Sequence, residues 1–136
     1  MQSLEHLLAR KALATIGQPP ERLFAQAKRH LIDFAGVTIA GMAAPSVQAV
    51  RASFDGEVAA PARKARLLGS GDLVPWRVAA VVNGMAAHFH DYDDDEPYVS
   101  IAHPSAPVLA AALAVAEATN ADTKRVLAAY VAGVET

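Results

Sequence analysis

A chain of 136 residues fits one domain and can bury roughly two thirds of its unfolded surface, enough for a core without covalent staples. Its 53% hydrophobic share, weighted to alanine with 6% aromatics, argues against a β-sandwich and for packed helices; a net charge of −2 excludes a basic stripe for nucleic acid. The absence of cysteine excludes disulfides, thiolate zinc sites and a cysteine nucleophile, and fits the cytoplasm, the compartment expected.

At the N-terminus, MQSLEHLLARKAL carries Glu5, His6, Arg10 and Lys11 where a signal peptide needs an unbroken apolar core. The longest apolar run, 34–44, is too short to cross a bilayer, so neither export nor membrane insertion is expected. SLEHLLARKALATIG predicts a first helix, with Ser3 as a cap, Leu4, Leu7, Leu8 and Ala12 on one face, and Gly17, Pro19 and Pro20 as the stop. A second helix starts at Pro20; Leu23, Phe24, Ala27, Leu31, Phe34 and Ala35 give it an apolar stripe running toward Gly41. A third, shorter one is expected around Ser46 to Phe54, followed by a loop over 55–64. ARLLGSGD is either a brief strand near 65–69 or an extended connection.

From Pro75 to about Tyr92, PWRVAAVVNGMAAHFHDY reads as a fourth helix, in which Gly84 costs about 1 kcal/mol relative to alanine and so signals close packing. Beyond an acidic loop, PSAPVLAAALAVAEATN and ADTKRVLAAYVAGVE predict a helical pair, with Asp122 capping the second member. The expected fold is an all-α helical bundle with at most one short strand. Two glycine patterns do not alter this. LLGSGD lacks the third glycine of a dinucleotide loop, and GVTIAG is followed by Met42 and Ala43 where a phosphate loop needs lysine and a hydroxyl.

The unusual stretch is HFHDYDDDE, 88–96, with two histidines and five carboxylates in nine positions. Such a run is commonly solvated loop surface. Here, however, a helix through 91 brings Asn83, His88 and Asp91 toward one another, at a C-terminal end whose dipole disfavours exposed acids by about 0.3–1 kcal/mol each. Downstream, His103 precedes Pro104 at the start of the next helix, where free N–H groups favour an anion. A carboxyl and an imidazole beside an anion site suit acid–base chemistry, with histidine titrating near neutral pH.

NGMAAHFHDYDD at 83–94 followed by HPSAPVLAAALAVAE at 103–117 resembles the paired signature of the MmgE/PrpD family, which includes 2-methylcitrate dehydratase and cis-aconitate decarboxylase. HLIDFAGVTIAG, LLGSGDLVPWRVAAVVNG and AAYVAGVE resemble the N-terminal region of the same family. The resemblance implies an all-helical main domain, of which 1–136 is the first part, with further helices and an α/β lid downstream. It implies cofactor-independent and metal-independent lyase or isomerase chemistry on small di- or tricarboxylic acids, and a homodimer. The family's catalytic aspartate falls on Asp91 and its catalytic histidine on His103; His88, Asp93 and Asp94 match further signature positions with no fixed role. Candidates for substrate contact are Asn83, His88, Asp94, Asp95 and Ser105. Asp95 stands where the family commonly has threonine, and His90 where an apolar residue is commoner, which bears on the substrate: threonine donates a hydrogen bond, whereas an ionised aspartate accepts.

Five acids in six positions cannot surround a trianionic substrate unless some are protonated, turned to solvent or paired with cations, which are expected from the rest of the protein or from a second subunit. Two other readings compete with the lyase. HFHDYDDDE offers imidazole and carboxylate ligands for manganese, zinc or magnesium, though without a clear ligand spacing. The chain is otherwise a non-catalytic remnant acting as a helical interaction module. His6, His30, Trp76 and the alanine-rich 106–118 stretch are read as surface, edge or packing positions without function.

Overall fold

The computed structural model describes residues 3–17, 19–57, 63–98 and 101–135. It is all-α, with six helices among these residues and one two-stranded antiparallel hairpin.

Helix α1, Leu4–Gly17, lies along α6, Thr123–Val134, at the edge of the bundle. Its expected inner face is not inner: Leu4 and Leu7 are 67% and 50% exposed, and Leu13 and Ile16 also face outward. Helical spacing aligns apolar side chains but does not supply an element to cover them, and none of the described elements does.

Helix α2, Glu21–Gly41, follows Pro20 directly and buries its predicted stripe, with Ala27 and Phe34 wholly inside and Leu23, Phe24, Leu31 and Ala35 partly so. Thr38 enters the same core at no polar cost, because its hydroxyl donates to the Phe34 carbonyl at 2.6 Å. Gly41 closes the helix against α4, Trp76–His88: a Cβ there would collide with the Ala86 carbonyl, so the approach of the two helices depends on its absence. Helix α3, Pro45–Ala52, begins with its proline at the first turn and ends two residues before the expected Phe54.

The expected strand near 65–69 is β1, Lys64–Arg66, and it has a partner that the sequence did not announce, β2, Leu73–Pro75, in the register Ala65 opposite Val74. Gly69 and Gly71, both at positive φ, form the turn between them. Asn83 of α4 holds this hairpin: its Nδ2 donates to the Arg66 carbonyl at 2.9 Å and its Oδ1 accepts from Leu68 N at 3.0 Å.

Helix α5, Ser105–Thr119, packs along α4, with Gly84 3.3 Å from the Ala110 methyl by the position a Cβ would take, the close approach its sequence context predicts. Asn120 ends α5 in the left-handed conformation, and Asp122 caps α6 as expected, its Oδ1 accepting from Arg125 N at 2.8 Å. Leu109 and Ala110 of α5 join Phe34, Leu127 and Tyr130 in one core cluster; Val78, Val82 and Ala86 of α4 join Val47 and Leu67 in the other. No single helix among the described residues is long and apolar enough to cross a membrane.

Candidate active site at the end of the fourth helix

The fourth helix stops at His88, not near Tyr92 as its periodicity predicts. Phe89 and His90 make a turn, and Asp91 takes a left-handed conformation, φ 55°, with its N–H on the His88 carbonyl at 3.1 Å. Aspartate tolerates that region better than most residues because its short side chain bonds locally. The reversal sends the chain back under the helix end. His88, Asp91 and His103 therefore do meet, but through a turn and not along one helix face; Asn83 does not join them, since its amide is committed to the hairpin.

At the centre lies Asp93, whose side chain is 1% exposed. Its carboxylate oxygens lie 3.1 and 3.2 Å from His88 Nδ1. The same Oδ1 is 3.3 Å from the buried Nδ1 of His103, within ionic reach but off the line of a formed hydrogen bond. On the other side of that ring, Asp91 Oδ1 stands 3.6 Å from His103 Nε2, on a side chain 78% exposed. The two imidazoles lie 4.6 Å apart between centroids, tilted by 60°. One potential ligand atom from each of His88, Asp91, Asp93 and His103 falls within a span of 4.8 Å. His103 is delivered by a short bridge in which Glu96 and Ala102 exchange backbone hydrogen bonds at 2.9 and 3.2 Å.

The anion position expected at the start of α5 is filled by the chain itself. Asp94 Oδ1 accepts from Ser105 N at 3.0 Å, while its Oδ2 lies 3.6 Å from His30 Nδ1. A tethered carboxylate has already lost the freedom that a dissolved one must give up, so it holds the helix terminus ahead of a substrate. Ser105 is buried, and its hydroxyl shares a 2.7 Å hydrogen bond with Tyr130 Oη. Ser105 and Asp94 thus belong to a supporting network with His30 and Tyr130. Asp95 is exposed on the loop surface.

Burial pushes the Tyr130 phenol above its usual value near 10.0; the Ser105 hydrogen bond opposes this and the Asp94 charge adds to it. A phenol that holds its proton more tightly when folded stabilises the protein below about pH 10, and that contribution fades as pH rises through the folded value. Tyr130→Phe should therefore show a smaller drop in stability than the parent above about pH 10, measured by urea unfolding at a series of alkaline pH values.

His88 and His103 also border an open, mostly apolar groove of about 660 Å³, walled by Val81, Gly84, Met85, Ala102, Ala106 and Pro107. No lysine or arginine occurs between Arg77 and Lys124, so the segment carrying the site contributes acids and imidazoles but no permanent cation. Sequence reasoning missed Asp93 as the centre, and His30 and Tyr130 as support. The signal for Asp93 was its place in the signature, whereas His30 and Tyr130 are distant in sequence and leave no local pattern.

What the fold and site define is an all-helical domain with an aspartate–histidine cluster where one helix ends and another begins. Among known families, residues 8–136 match the MmgE/PrpD N-terminal domain, and the chain belongs to the MmgE/PrpD family. Comparison with curated proteins and with solved structures gave no match.

Proposed function

We propose that this chain is the N-terminal helical part of a cytoplasmic, cofactor-independent lyase, a dehydratase or decarboxylase acting on a small di- or tricarboxylic acid such as 2-methylcitrate or cis-aconitate. The observation that carries the reading is the 3.6 Å approach of Asp91 Oδ1 to His103 Nε2 beside the groove. His103 moves the proton at the reacting carbon or assists the leaving group. Asp91, exposed beside His103, orients that imidazole or binds the substrate.

Carboxylates on the substrate need cations, and none is encoded between Arg77 and Lys124. They come from the remainder of the enzyme or from a second subunit. The exposed leucines of α1 support such a neighbour, since apolar surface of this kind gains about 25 cal/mol per Å² when covered. Turnover of Asp91 and His103 variants of the full-length enzyme tests the reading.

A metal site is the second reading, favoured by the compact set of His88, Asp91, Asp93 and His103. Separations of 3.1 to 3.6 Å between neighbouring ligand atoms are close to those around a tetrahedral ion with bonds of about 2.0–2.1 Å. Zinc or manganese retained through purification, with activity abolished by chelator, would select it; full activity after exhaustive chelation is the outcome expected for the lyase without metal.

A further inference from the structure

Of the five acids between 91 and 96, Asp93 alone is buried. A carboxylate withdrawn from water is costly unless its oxygens are paired. Among the described residues it faces imidazole nitrogens of one kind: Nδ1 of His88 at 3.1 Å and Nδ1 of His103 at 3.3 Å. Because Asp93 accepts hydrogen bonds when ionised, each Nδ1 facing it must carry a proton. When neutral, an imidazole protonated at Nδ1 bears its lone pair on Nε2.

We infer that Asp93 is the positioning residue of the site, a shared acceptor that fixes both His88 and His103 in the Nδ1–H tautomer and leaves His103 Nε2 as the proton acceptor on the reacting side. The catalytic consequence rests on the lyase reading, although the tautomers do not. A substrate proton passing to Nε2 leaves its electron pair on the substrate and converts the ring to imidazolium. Asp93 then faces the positive ring on one side and Asp91, 3.6 Å away, receives the new N–H on the other. The proton leaves by the same nitrogen, either on the departing hydroxyl or back to carbon. His88, whose Nδ1 spans both oxygens of the Asp93 carboxylate at 3.1 and 3.2 Å, keeps that group turned toward His103 and lines the groove mouth. His103 Nδ1 has no formed hydrogen bond among the described residues, so its N–H must turn onto Asp93 Oδ1, 3.3 Å away, as poorly aligned catalytic hydrogen bonds commonly do when substrate binds.

The test is nitrogen-15 NMR of histidine-labelled protein, recorded along a pH series and read where the spectra show neutral rings. His88 and His103 should show a protonated Nδ1 and an unprotonated Nε2 in the parent and in Asp91→Asn. Asp93→Asn presents one acceptor and one donor, so at least one ring should revert to Nε2–H; Asp93→Ala should release both, with helix content followed by circular dichroism to separate this from unfolding. Nε2–H on either ring of the parent, or Nδ1–H surviving on both in a folded Asp93→Ala, overturns the inference. In the full-length enzyme Asp93→Asn should lower kcat by on the order of 10²–10⁴-fold with KM little changed. A rise in KM at unchanged kcat overturns the positioning role. Should the tautomers be as stated while His103 variants keep full turnover, the lyase reading fails and the structural role of Asp93 stands.

Discussion

On the proposed lyase function, replacing His103 by glutamine, or Asp91 by asparagine, should lower turnover by roughly 10²-fold or more, the usual scale for losing a positioned acid or base. Glutamine preserves polarity and much of the length of histidine but does not titrate near neutral pH, so the substitution isolates proton transfer from packing. The two variants should differ in kind. His103 faces buried Asp93 at 3.3 Å on one side and sits at the groove, so its loss should fall on kcat. Asp91 projects into solvent from a left-handed turn, where its contact with His103 at 3.6 Å is screened. Its loss should therefore move both kcat and KM. Steady-state kinetics on dehydration and decarboxylation substrates, with circular dichroism to establish folding, measures both. Unchanged kcat/KM in both variants would remove Asp91 and His103 from the chemistry and leave the cluster a structural one.

Sequence periodicity was informative wherever a single element decided the outcome. Phe34 and Ala27 are buried because the α2 stripe is continuous; α4 begins at Trp76, directly after Pro75; Asp122 caps α6 by accepting from Arg125 N. It was misleading wherever a second element intervened. The helical pattern runs through to Tyr92, yet the chain turns at Asp91, and the convergence of His88 with Asp91 arises from that turn rather than from residues sharing a face. The leucines of α1 have the spacing of a core helix and remain exposed, since burial needs a neighbour as well as a pattern. Within DYDDDE the acids look interchangeable in sequence, and only the return of the loop past His88 and onto α5 separates their environments. Asp93 goes inside, Asp94 takes a helix N-terminus, and Asp95 meets water.

That division makes a second large effect measurable. Asp94→Ala should destabilise the fold by about 1.5–3 kcal/mol, the range for a hydrogen bond to a charged group, because Ser105 N in the first turn of α5 loses its acceptor and His30 loses its facing carboxylate. Asp95→Ala, one residue away and exposed, should stay within about 0.5 kcal/mol of the parent. Urea unfolding of the two variants side by side gives the difference directly, with equal m-values required for the comparison. The effect should extend beyond stability. Ser105 is bonded to Tyr130 at 2.7 Å and lies two residues from His103, so loosening the α5 terminus displaces the imidazole that the site depends on. Equal stability losses in the two variants would mean that the acids share one environment, and the separation into a buried acceptor, a helix cap and a solvated neighbour would have to be abandoned.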